Sequence, residues 1–116
     1  MPFTEKEAAR YLDLIEKLIW SKRRPPLHLR GKIREGQRIA GNTIELFVVR
    51  PFWRDHAQQI ESSIAKTRYV KSRNVWQVFW KRADGKWHRY GPRPEVKSLA
   101  SFLKLVDEDA NGCFWG

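Results

Sequence analysis

Trp76, Trp80 and Trp87 stand among Lys71, Arg73, Arg82, Lys86 and Arg89 in a stretch, 65–90, that reads as three short strands. Cations spaced this way neutralise phosphates, and aromatic rings between them stack on exposed bases. A second basic run, 21–34, holds Arg23, Arg24 and Arg30 and contains no acid. Residues 66–93 contain a single acid, Asp84. These two blocks carry the whole excess of a chain with net charge +10. Local density of this kind favours a polyanionic partner, nucleic acid before an anionic membrane surface.

Other chemistries find less support. His28, His56, His88 and Cys113 have no zinc-ligand spacing among them. The trio Asp107, Glu108 and Asp109 lacks a second ligand group nearby and reads as a solvated helix end or a partner for cations. The lone Cys113 reads as an inert thiol in a reducing compartment. No nucleophile elbow, phosphate-binding loop or dinucleotide fingerprint is present. Catalysis is therefore the weakest of the readings, and no cofactor or metal is implied.

A structural reading competes for the same tryptophans. Such side chains dominate cores, and the N-terminal helix could cover them while Arg82 and Arg89 reach to the rim. Burial explains the aromatics better, and binding explains the segregated charge better.

The elements that position these residues follow from patterning. Thr4 and Glu7 form a capping box that opens a helix, with Ala8, Leu12, Ile15, Leu18 and Ile19 as its apolar stripe, widened by Tyr11, Leu14 and Trp20. Pro25-Pro26 ends it, with Lys22, Arg23 and Arg24 in its last turn. Gly41-Asn42 predicts a type II′ hairpin pairing Ile39 with Ile44 and Arg38 with Glu45. The outgoing strand, apolar on both faces, reads as central. The segment 52–63 reads as a polar connector with a helical turn at 55–60.

Arg73-Asn74 and Asp84-Gly85 predict two-residue turns, which pair Tyr69 with Val78, Trp80 with Arg89 and Arg82 with Trp87. Alternation then gathers Tyr69, Lys71, Trp76, Val78, Trp80, Arg82, Trp87 and Arg89 on one face. Arg68, Val70, Val75, Gln77, Phe79, His88 and Tyr90 fall on the other. Ser98 caps a last helix with the stripe Val96, Leu99, Phe102, Leu103 and Val106. Val70, Val75 and Phe79 are expected to pack on it, leaving the tryptophans outward.

The motifs Arg24-Pro25-Pro26, Arg50-Pro51-x-Trp53, Tyr69-Val70-Lys71, Val75-Trp76, Trp80-x-Arg82-Ala83-Asp84, Lys86-Trp87-His88 and Val106-Asp107-Glu108-Asp109-x-x-Gly112 resemble a bacterial family catalogued as domain of unknown function 3024. The likeness runs from about Glu5 to Gly116 and implies a small stand-alone bacterial domain, without an activity. At the level of fold alone, the three strands and helix also resemble the DNA-binding domains of phage integrases and the plant Apetala-type domain.

The expectation is a single α+β domain over 1–116, an antiparallel sheet of about five strands with N- and C-terminal helices in the order α-β-β-β-β-β-α. Its expected function is nucleic-acid binding through Arg23, Arg24, Arg30, Lys71, Arg73, Trp76, Trp80, Arg82, Lys86, Trp87 and Arg89. The alternative is a protein–protein interaction or structural module, with a homo-oligomer as one form of it, using the aromatic tail Phe114-Trp115. With no apolar run near membrane-spanning length and no secretory leader, a cytoplasmic location is expected.

Overall fold

In the computed structural model of the chain, which describes residues 3–23, 33–52, 54–55 and 57–115, the capping box forms as its residues dictate. Thr4 Oγ1 accepts from the Glu7 N–H at 3.1 Å, and Glu7 Oε1 accepts from the Thr4 N–H at 3.0 Å. Helix α1 (Glu5–Ile15) runs through a π-helical turn, Glu16–Trp20, into α2 (Ser21–Arg23). The wider π turn lets the consecutive Ile19 and Trp20 both point inward, continuing the line Tyr11, Ile15. Trp20 Nε1 donates to Gln37 Oε1 at 2.9 Å, tying the helix to the first strand. Leu12 is not in the buried stripe; it is 40% exposed. The Tyr11 ring, packed edge-on against Trp76, sets the helix rotation instead.

Six strands follow: β1 (Arg34–Ala40), β2 (Thr43–Pro51), β3 (Gln59–Val70), β4 (Val75–Lys81), β5 (Trp87–Arg89) and β6 (Glu95–Val96), then α3 (Leu99–Glu108). The sheet is antiparallel in the order β1-β2-β3-β4-β5, with β6 paired to β4 beyond β5. The fold is α+β, with an N-terminal helix, the sheet and a C-terminal helix. No helix among the described residues is long and apolar enough to cross a membrane.

The β1–β2 hairpin has the predicted register, Ile39 opposite Ile44 and Arg38 opposite Glu45. Gly41 takes φ +60°, as the first position of a II′ turn requires, and Asn42 does not take positive φ. The connector expected at 52–63 is shorter, because β3 begins at Gln59, and the Gln58 N–H bonds the Asp55 carbonyl at 3.0 Å just before it. Trp53 and His56 lie outside the described residues. The register shifts between Leu46 and Phe47, leaving Ile64 as an extra residue in β3. Ile64 and Ala65 are both buried although adjacent. This bulge breaks the two-residue alternation by which a strand is recognised.

Both central turns differ from the two-residue loops expected. The β3–β4 register is Tyr69 to Trp76 and Thr67 to Val78, with Lys71–Asn74 as the loop. That is a slip of two residues, so every side chain keeps its face. The β4–β5 register is Trp80 to His88 and Lys81 to Trp87. That is a slip of one, so Trp87 and Arg89 move to the opposite face from Trp76 and Trp80. The cause is local. Gly85 alone takes positive φ, +78°, and its N–H bonds the Arg82 carbonyl at 2.9 Å. Arg82 N–H then meets the Lys86 carbonyl at 3.1 Å, closing a three-residue loop rather than a I′ turn. Asp84 contributes through its side chain, accepting from the Lys86 N–H at 2.9 Å.

The inner face carries the core. Ile44, Leu46, Ala65, Thr67, Trp76, Val78 and Tyr90 are buried there against Tyr11, Ile15, Ile19, Leu99, Phe102, Leu103 and Val106. Val96, expected in the last helix, pairs with Trp76 in β6. Thr67, the one buried polar residue among those described, donates its hydroxyl to the Gln77 carbonyl at 2.8 Å.

Gly36 is required by the outer face. A Cβ there would stand 2.6 Å from Phe47 Cε2, because the Phe47 ring lies over its cross-strand partner. Gly36→Ala is expected to push the ring off the sheet at a cost of about 1–3 kcal/mol. The check is a thermal melt of Gly36→Ala with and without Phe47→Leu. The double variant should lose less than the sum of the singles.

Candidate nucleic-acid interface

Each pairing in the sheet carries the outer face one strand further, and three rows result. The first is Arg38, Glu45, Lys66, Phe79 and Arg89, one residue from each of β1 to β5. The second is Gly36, Phe47 and Ser63, continued by the pair Lys81 and Trp87, with Lys81 Nζ reaching Ser63 Oγ at 3.4 Å. The third is Ala40, Thr43, Arg68, Gln77 and Glu95. None of these residues is buried, and no described helix packs on them.

Aromatic rings and cations alternate across this face. Lys66 Nζ lies 5.6 Å from the Phe79 ring centre and 5.7 Å from that of Trp87. Lys81 Nζ lies 5.6 Å from Trp87, and the Arg89 guanidinium 5.7 Å from Phe79. Arg38 stands 4.9 Å over Phe47. These are cation–π distances, so the cations sit beside half-exposed rings rather than extending into solvent.

The carboxylates of the face are already engaged. Arg38 takes Glu45 at 3.2 Å and Glu61 at 3.0 Å. Glu95 is shared by Arg73, through Nη1 at 3.1 Å, and Arg89 at 3.5 Å. Lys66, Arg68 and Lys81 have no carboxylate partner among the described residues. Asp84, the one acid of the 66–93 block, is held in its loop. Its pKa is lowered first by the Lys86 backbone N–H and then by the His88 ring, which lies 2.9 Å away.

The residues singled out from the sequence divide among several places. Trp87 and Arg89 lie on the outer face. Trp76 does not: it is buried on the inner face, and Trp80 is half-buried at the edge of the same core, with Arg82 5.7 Å from its ring. Arg82 and Lys86 are exposed in the β4–β5 loop, and Lys71 and Arg73 in the β3–β4 loop. Arg23 belongs to the helix layer. Its Nη2 donates to the Asp107 carbonyl at 2.7 Å and its guanidinium lies 4.0 Å over Trp115. Arg24 and Arg30 lie outside the described residues.

Phe47, Lys66, Arg68, Phe79 and Lys81 are the residues that sequence reasoning missed. For Lys66, Arg68, Phe79 and Lys81 the signal was present as the i, i+2 pairs Lys66-x-Arg68 and Phe79-x-Lys81, each an element of one strand face.

The C-terminal acids have structural occupations. Asp107 pairs with Lys22 at 3.3 Å and Arg23 at 3.4 Å. Asp109, left-handed at φ 43°, accepts from the N–H groups of Phe114 and Trp115 at 3.1 and 2.9 Å. Trp115 Nε1 donates to the Val106 carbonyl at 2.8 Å, and Phe114 is buried. The aromatic tail is thus folded into the protein's own core. Burial, and then Asp109, raise the Cys113 pKa, which favours the protonated thiol.

Fold and face together define a small α+β domain with helices on one side of a sheet and, among the described residues, no helix on the other, basic and aromatic side. The chain belongs to the family described as domain of unknown function 3024, whose profile matches residues 3–116. No curated protein and no solved structure matches it.

Proposed function

We propose that the outer sheet face binds nucleic acid. The observation that carries this reading is the set Lys66, Arg68 and Lys81, cations without carboxylate partners among the described residues, interleaved with the half-exposed rings of Phe79 and Trp87. Cations of this kind beside half-exposed rings suit a polyanion that also carries flat apolar groups. A cytoplasmic setting, where nucleic acid and reduced thiols coexist, agrees with this role.

The test is fluorescence anisotropy with labelled oligonucleotides between about 50 and 200 mM salt. Three phosphate contacts predict that log K falls with log[salt] with a slope of about −2 to −3. No binding at the lowest salt, or binding indifferent to salt, would sink the proposal.

A further inference from the structure

Lys66, Arg68 and Lys81 do not form a random cluster. Arg68, Lys66 and Lys81 fall in three successive rows of the outer face. Alternate residues of a strand are about 6.8 Å apart. Successive phosphates along one nucleic-acid strand lie at a comparable separation, so each row can take one of them. Two of the rows also supply a ring beside the cation, Phe79 with Lys66 and Trp87 with Lys81. Each row therefore offers one cation without a carboxylate partner among the described residues, and two offer one flat apolar surface as well.

A duplex can use the cations of this arrangement but not its rings. Its bases are stacked on one another, so their faces are closed to Phe79 and Trp87. Nor does the whole face fit an undeformed groove, since five strands about 4.8 Å apart span about 19 Å, against about 12 Å for the major groove. We infer that the face takes single-stranded nucleic acid, laid along β3 and β4 at one nucleotide per row, with phosphates on Arg68, Lys66 and Lys81 and bases on Phe79 and Trp87. On binding, each lysine ammonium exchanges a ring contact for a phosphate, freeing the ring for a base. Gln77, in the Arg68 row, offers an amide to a base edge in place of a ring.

This inference rests on the nucleic-acid reading, and the experiment separates the two. Parent protein is titrated with short labelled oligothymidylate, oligouridylate and a duplex of the same length. The expected result is single strands bound at least roughly tenfold more tightly than duplex, the gain coming from stacking. Phe79→Leu/Trp87→Leu should then lose roughly tenfold or more on single strands and nothing on duplex, with its circular dichroism unchanged. Equal or tighter duplex binding by the parent overturns the single-strand inference while leaving nucleic-acid binding in place. So does full single-strand affinity in the ring variant. Binding to none of the three probes overturns both.

Discussion

Trp76→Ala is expected to unfold the domain at or near physiological temperature. Trp76 is 4% exposed and is the hub of an aromatic cluster that joins the helix layer to the sheet. Phe3 stacks on it at 5.6 Å and 27°, Tyr11 meets it edge-on at 5.4 Å, and Tyr69 lies 4.9 Å away on the neighbouring strand. Removing the indole leaves a cavity that three other rings cannot close together. Truncations of this type cost about 3–5 kcal/mol, against a total of about 5–15 kcal/mol for a whole domain. Each kcal/mol lowers Tm by several degrees at this size, so a fall of roughly 10–25 °C is expected. Trp87→Ala is the internal comparison. It sits half-exposed on the outer face, and its loss should move Tm far less. Thermal melts followed by circular dichroism decide the matter. Equal melting temperatures for the two variants would contradict the assignment of Trp76 to the core and Trp87 to the surface.

These two tryptophans also show where the sequence is legible and where it is not. Signals confined to one turn read well. The Thr4–Glu7 box, the Gly41-Asn42 turn with its register and the Ser98 cap each depend on a few adjacent residues whose backbone demands are specific. The α+β class follows from helical spacing at both ends of a strand-rich middle. The candidate face is different, because its composition depends on a parity summed over several turns. Asp84-Gly85 suits a two-residue loop, yet Asp84 can also hold the Lys86 N–H with its carboxylate while Gly85 alone turns left-handed. The two loops differ by one residue, and that residue decides whether Trp87 shares a face with Trp76. The bulge at Ile64 shifts parity again and hides the first half of β3. The tertiary environment settles such choices: Tyr90 joins Trp76 and Val78 against the helices only with the observed loop. A basic, aromatic sheet face was therefore readable as a property of the segment, while its membership was not.

Replacing Lys66, Arg68 and Lys81 together with alanine is expected to weaken nucleic-acid binding by roughly a hundredfold or more at 0.1 M salt, and to flatten its salt dependence. In the counterion picture each phosphate contact adds about 0.7–0.9 to the slope of log K against log[salt]. Losing three removes about 2–3 units of slope, which between 1 M and 0.1 M salt amounts to about two to three decades of affinity. Net charge alone would also fall, so a second variant is needed. Lys6, Lys17 and Lys97 are exposed residues of the helix side, and their triple alanine variant loses the same formal charge. If binding follows the outer face, this control keeps the parent slope and nearly the parent affinity. If binding reflects only the net +10 of the chain, both triples weaken it alike. Neither should shift Tm by more than a few degrees, because none of the six side chains fills the core. Equal losses in the two triples would mean that Lys66, Arg68 and Lys81 are no site at all, and that the charge segregated along the sequence is dispersed again by the fold.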